Sequence, residues 1–187
     1  MKLNNNYYLM RHGQAISNVK EIVSCWPEKF HNPLTKHGRE QVKETALKLK
    51  EKNIDLIFCS PILRTKQTAT IVGSKLKIKP KADKRLVELK AGIFNGKSLM
   101  HLVGFFGEKN IKRFKMRPRG GETYIEIEKR MVGFLKSIDK KYKNKNILIV
   151  SHELPLLFLD CAVKGIPNKD FYNKREKIDK AELRKLN

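Results

Sequence analysis

Tyr7-Tyr8-Leu9-Met10-Arg11-His12-Gly13-Gln14 and Ile147-Leu148-Ile149-Val150-Ser151-His152 decide how this chain is read. Each is a short apolar run of the kind a buried strand needs, and each releases a histidine at its carboxyl end. Between the two runs the apolar pattern alternates. Residues 35–52 read as a helix with Val42, Ala46 and Leu49 on one face, ended by Asn53. Residues 54–59 read as a second buried strand. Ser60-Pro61 then reads as the opening of a helix to about Lys75, with Ser60 as N-cap and Pro61 at the first helical position. Gly121-Glu122-Thr123 precedes a long helix in which Tyr124, Ile127, Met131, Leu135, Ile138 and Tyr142 recur at spacings of three and four. Residues 153–163 read as helical, ending near Gly165, and residues 177–186 fit either a short edge strand or a charged helix. Strand–helix alternation of this kind predicts an α/β protein: a three-layer α/β/α sandwich whose mostly parallel central sheet has helices on both faces.

Composition narrows the class. A chain of 187 residues with 40% apolar residues is long enough for one domain with a sizeable core. No apolar stretch is long enough to span a bilayer, and Met1 to Asn6 lacks the apolar core of a signal peptide. Cys25, Cys59 and Cys161 are odd in number and far apart, so they form neither a paired metal spacing nor a disulfide framework. A reducing, cytoplasmic setting is expected. Lysine and arginine number 41 against 19 acidic residues, a net charge of +22. The basic residues thicken in 75–90, 109–119, 140–145 and 174–185. No aromatic-interleaved basic stripe or nucleic-acid motif accompanies them, so the excess reads as a lysine-rich solvated surface, without a nucleic-acid or membrane partner.

The chemistry follows from convergence. Ligands in open α/β sheets bind just beyond the carboxyl ends of the strands. If the strands are neighbours, Arg11 and His12, then Ser60 and Arg64, then His152 meet at one sheet edge. Guanidinium forks match phosphate oxygens bidentately. Nearby cations oppose protonation of an imidazole and keep its lone pair free to attack phosphorus. A second histidine stabilises charge on the transferring group. A carboxylic acid must protonate the leaving oxygen. Cys59 is not a phosphatase nucleophile, because only four residues separate it from Arg64 and none is glycine. No histidine follows His152-Glu153 at zinc-binding spacing, and His31, His37 and His101 read as surface or loop residues.

The set resembles the histidine phosphatase superfamily, in the branch that holds cofactor-dependent phosphoglycerate mutases and many small phosphatases. The matching segments are Leu9 to Gln14 with Asn18, Asn32 to Gln41, Cys59 to Ala69, Leu86 to Lys97, Gly120-Gly121-Glu122-Thr123 and Ile149 to His152, in order along nearly the whole chain. The resemblance implies His12 as the nucleophile of a phosphohistidine intermediate, with Arg11, Arg64 and His152 binding the phosphoryl group and Asn18 adding a hydrogen bond. It implies Glu88 as proton donor and no metal or other cofactor. Gly13, Asn18, Ser24, Cys25, Lys97 and Glu153 are the further expected substrate contacts.

The chain also departs from the family pattern. Glu153 stands where glycine is common, and in the acid phosphatase branch an acidic residue there is the donor. Glu88 is preferred to it because Gly92 and Gly96-Lys97 follow in the mutase-branch pattern. Cys25 replaces the glycine of a mutase Gly-Trp pair, and Ala91 replaces a substrate-contacting tyrosine, whereas Lys97 matches a mutase lysine. Residues 98–120 are too short for the mutase insertion and are expected to form a cap over the site within one domain, residues 1–187. The function expected is a metal-independent phosphomonoesterase acting on a small phosphate ester. The alternatives are a phosphoglycerate mutase and a non-enzymatic polyanion-binding module. Oligomeric state is not legible.

Overall fold

The computed structural model describes residues 1–107 and 111–187. Five strands lie among them: β1 (Asn6–Arg11), β2 (Leu56–Cys59), β3 (Lys81–Ala82), β4 (Asn146–Ser151) and β5 (Leu183–Lys185). Their order across the sheet is β3-β2-β4-β1-β5. The first four run parallel, and β5 pairs antiparallel with β1. The undecided tail is therefore an edge strand. The α-helices are α1 (Ile16–Val19), α2 (Lys36–Lys48), α3 (Leu63–Leu76), α4 (Leu99–Phe106), α5 (Tyr124–Lys141), α6 (Glu153–Lys164) and α7 (Phe171–Lys174).

Period-two alternation in the strands divides the core. Tyr7, Leu9, Phe58, Ile147 and Ile149 pack with Ile127, Met131, Phe134 and Leu135 of α5 and with Leu156 of α6. Met10, Ile57, Cys59, Leu148 and Val150 pack with Val42 and Ala46 of α2 and with Ala69 and Val72 of α3. The sheet is thus sandwiched between helix layers, as the alternation predicts. Asn53, at φ 46°, turns the chain out of the turn that follows α2. Thr123 opens α5 with a capping box: its Oγ1 accepts from Glu126 N, and Glu126 answers on Thr123 N. Among the described residues no helix is long and apolar enough to cross a membrane.

One local expectation needs correcting. Ser60 is not the N-cap of α3, and Pro61 is not its first residue; the helix begins at Leu63 with Ile62 as N-cap. Ser60 N still donates to Val150 O at 3.1 Å, so the chain keeps strand geometry for one more residue. The cap comes from elsewhere: Glu28 Oε2 accepts Leu63 N–H at 2.9 Å. A carboxylate there also suits the positive end of the helix. The expected cap region holds α4 and a 3₁₀ turn, Ile111–Phe114. Residues 108–110, inside that region and including Lys109 of one basic cluster, lie outside the described residues.

Candidate active site

The register of the sheet places the site. Cys59 and Met10 both pair with Val150, and Arg11 pairs with Ser151. Three parallel strands therefore end at one level, and Ser60, His12 and His152 are the residues released there. The ladder holds them a step further, with His12 N bonded to Ser151 O at 3.1 Å. Both histidines are almost fully buried, at 2% and 0% exposure, with ring centroids 5.2 Å apart.

Their hydrogen bonds set opposite tautomers. His12 Nδ1 lies 2.7 Å from Gly13 O. A carbonyl only accepts, so Nδ1 carries the proton, and Nε2 turns its lone pair toward Arg64 Nε–H at 3.1 Å. His152 Nδ1 accepts from Arg64 Nη2 at 3.0 Å, and its Nε2–H faces Ser60 Oγ at 3.0 Å. Arg64 joins the two: its guanidinium also donates to Ser24 Oγ at 3.1 Å and to Ser24 O at 3.0 Å. Burial, with Arg64 the next cause, holds both imidazoles well below the usual histidine range. Both are therefore neutral near pH 7.

Glu88 Oε2 lies 4.0 Å from His152 Nδ1, on a half-buried side chain. Burial raises its pKa above the usual carboxylate range, against the pull of Leu89 N–H and of Arg64. The loop that carries it is held by an unforeseen bracket. Arg130 donates to Arg85 O at 2.6 Å and to Glu88 O at 3.4 Å, and pairs with Glu122 at 2.7 Å. Glu122 also accepts Lys90 N–H at 2.9 Å. Glu122 stands in the quoted Gly120-Gly121-Glu122-Thr123 motif, but only the fold places it under Glu88.

Arg11 donates from Nη1 to Ile178 O at 2.8 Å and pairs with Glu153 at 2.6 Å. Its Nε is buried without a hydrogen-bond partner among the described residues. A buried donor of this kind is costly unless something accepts from it.

A cavity of about 420 Å³ opens onto Arg11, His12, Asn18, Ser24, Arg64, Glu88 and Glu153. Three expected contacts are not brought to it as foreseen. Cys25 is buried with its Sγ accepting from Ala91 N at 3.4 Å, and it lines a different cavity beside Trp26 and Arg119. Lys97 lines a third hollow with Lys29 and His31, and its ammonium lies over the Phe94 ring. Gly13 is needed for packing: a Cβ there would meet Gly38 O at 2.4 Å. Asn18, although beside the cavity, uses Oδ1 to accept Ala15 N–H at 2.9 Å, which leaves its amide N–H₂ as the donor. The sequence reading missed Ser60 as a histidine partner, Glu28 beside Arg64 at 3.8 Å, and the lining residues Tyr124, Arg175 and Lys180. Lys180 falls in the tail whose structure the pattern left open, and Arg175 lies just before it.

A strand-end pair of neutral histidines under shared guanidinium control, in a three-layer α/β sandwich, defines a phosphoryl-handling site. The family model described as the histidine phosphatase superfamily (branch 1) matches residues 7–187, and the chain belongs to that family. It is a phosphoric monoester hydrolase. It is 26% identical over 170 residues to phosphoserine phosphatase 1 of Hydrogenobacter thermophilus, covering 88% of this chain and 79% of the relative. It is 29% identical over 166 residues to a probable phosphoglycerate mutase, GpmB, of Escherichia fergusonii, covering 86% and 75%. YhfR of Bacillus stearothermophilus has the same fold, with a TM-score of 0.83 at 24% identity over 96% of this chain and 89% of that one.

Proposed function

We propose that the chain hydrolyses a small phosphate ester through a phosphohistidine on His12, without a metal ion. The observation that carries this is the His12 Nε2 lone pair, held by the Nδ1–Gly13 O bond and facing Arg64. An incoming phosphoryl group displaces the Arg64 Nε contact and meets that lone pair. Arg64, the unpartnered Arg11 Nε and the Asn18 amide then hold its oxygens, and His152 joins them once the arriving phosphate has brought a proton to its Nδ1. Nε2 bonds to phosphorus as the P–O ester bond breaks, and Glu88 gives its proton to the departing alkoxide. Water then attacks the phosphohistidine with Glu88 as base, which releases inorganic phosphate and restores His12. Splitting hydrolysis into two displacements replaces one difficult step with two easier ones. Protein cations supply the charge stabilisation, and the described residues hold no group of three or more His, Cys, Asp or Glu suited to a metal ion.

Glu153 is a weaker candidate for the acid, because its carboxylate is engaged by Arg11 at 2.6 Å and a paired carboxylate resists protonation. The mutase alternative rested on Lys97, which lies outside this cavity. We assign residues 98–120 to a cap on the one domain, since Leu99, Leu102 and Arg113 line the cavity. Three buried, unpaired thiols fit a reducing, cytoplasmic setting. The test is phosphatase assay of wild-type and His12→Ala enzyme in the presence of chelator, with acid-labile, alkali-stable label trapped from a phosphorylated substrate. His12→Ala is expected to lose the label and roughly 10⁴–10⁶-fold in turnover, as other covalent nucleophiles do. Retained turnover, or loss of wild-type activity to chelator, overturns the reading.

A further inference from the structure

The cavity has a second cationic wall that the displacement at His12 does not use. Arg113, from the Ile111–Phe114 turn, and Arg175, just after α7, both line it. An aromatic cluster brings them together. Phe114 packs on Phe171 at 5.7 Å and on Tyr172 at 6.5 Å, and the Arg175 guanidinium lies 5.1 Å from the Phe171 and Tyr172 ring centroids. Both guanidinium groups thus sit against one aromatic cluster on the same wall of the cavity. Arg113 is aimed rather than loose: Nη1 donates to Tyr124 OH at 3.0 Å, Nη2 to Gly107 O at 2.8 Å, and its guanidinium lies 5.0 Å from the Phe106 ring centroid. Its Nε is buried without a partner among the described residues.

Among the described residues no carboxylate answers these charges. Three acids line the cavity: Glu21, Glu88 and Glu153. Glu153 is taken by Arg11, Glu88 faces His152, and neither Arg113 nor Arg175 has a carboxylate within 4.0 Å among the described residues. Two like charges on the wall of one cavity repel, and an anion bound there relieves that repulsion. The same cavity is also lined by the apolar, buried side chains of Leu102 and Leu157. At about 420 Å³ the space suits a small molecule.

We propose that the substrate carries a second anionic group, separated from the scissile phosphate by a short uncharged body, and that Arg113 and Arg175 hold that group. The inference rests on the phosphatase reading above. Charge-assisted hydrogen bonds from arginine serve a carboxylate or a second phosphate equally, so the probes separate the two. One matched pair is 3-phosphoglycerate and glycerol 3-phosphate, which differ by a carboxylate for a hydroxymethyl. The other is 1,3-propanediol bisphosphate and its monophosphate.

Wild-type enzyme is expected to prefer the charged member of at least one pair by about ten- to a hundredfold in kcat/KM, the usual worth of a charge-assisted contact. The pair that shows it identifies the group. In Arg113→Met/Arg175→Met the preference is expected to fall to about threefold or less, with Arg175→Lys intermediate. This ratio is read within one preparation, so partial misfolding of a variant cancels. Equal use of both members by wild-type enzyme, or a preference that survives in the double variant, overturns the inference while leaving the phosphatase reading intact. No turnover of these four compounds or of p-nitrophenyl phosphate overturns the phosphatase reading itself, and this inference with it.

Discussion

The ends of β1 and β4 are built alike and tuned differently. Each releases a buried histidine next to the same guanidinium. At β1 the imidazole is oriented by a main-chain carbonyl, Gly13 O, and the next residue is a glycine pressed against α2. At β4 the imidazole is oriented by a side chain, Ser60 Oγ, and the next residue is Glu153 in the first turn of α6. A backbone acceptor cannot be lost by substitution, and it leaves Nε2 of His12 as the nitrogen with a free lone pair. The arrangement at β4 leaves His152 Nδ1 as an acceptor beside Arg64 and Glu88, at the acid side of the site. The contrast teaches that the partner of the far ring nitrogen, not the histidine itself, separates the proposed nucleophile from the proposed stabiliser.

The largest break in this comparison is expected at the acid on the β4 side. Glu88→Gln should cost about 10²–10⁴-fold with an alkyl ester and far less with p-nitrophenyl phosphate, whose leaving group hardly needs a proton. Its pH profile sharpens the point. Lowering pH protonates His12 and removes the nucleophile; because burial and Arg64 depress His12, that acid limb lies below the ordinary histidine range. Raising pH ionises Glu88 and removes the acid; because burial raises Glu88, that limb lies above the ordinary carboxylate range. Glu88→Gln should abolish the alkaline limb and keep the acid one. If Glu153→Gln does so instead, the acid is misassigned.

Next in size, His152→Ala should cost about 10²–10³-fold in kcat, as loss of one stabilising donor does, and phosphoenzyme should still be trapped at longer times. A complete failure to phosphorylate would make His152 a nucleophile too. Gly13→Ala should destabilise the fold by about 1–3 kcal/mol, the usual cost of overpacking, because its Cβ would meet Gly38 O at 2.4 Å and Val42 Cγ2 at 2.8 Å. Thermal denaturation reads this, and an unchanged Tm would refute the packing role. Ser60→Ala leaves His152 Nε2–H without its acceptor, at a cost of about 1–3 kcal/mol for a buried unpaired group. It should lower kcat through a freed tautomer, whereas no substitution of a neighbouring side chain does that to His12. The smallest effect is expected at Glu153→Gln: a fewfold drop in KM, as a negative charge beside the phosphate is removed and Arg11 is released. A rise in KM would show that Glu153 positions Arg11 instead.

Legibility differed by region. The strands read at 7–10, 54–59 and 147–151 and the helices read at 35–52 and from Tyr124 to Tyr142 carry strong periodicity and are all present, although β2 starts only at Leu56 and the helix from Lys36 tightens into a 3₁₀ turn after Lys48. The start of α3 was misjudged because Ser60-Pro61 is a good local helix opening, yet a ladder bond to Val150 and a cap from Glu28 override it. Lys97 and Cys25 matched or neighboured family motifs, but a few residues of loop turned them into other hollows. Glu28 and Arg130 act through contacts across long stretches of chain, and nothing in their immediate neighbours marks them.

By itself the sequence determined the layered α/β architecture and the arginines and histidines that meet at the strand ends, because apolar periodicity and strand-end residues are local properties. Only the tertiary structure decided which nitrogen of each imidazole is free, which carboxylate is unpaired, and which cations wall the remainder of the cavity. Apart from Gly13 O beside His12, the partners that decide this are distant in the chain, such as Ser24 for Arg64 and Ser60 for His152, and they meet only when the sheet brings its strand ends to one level.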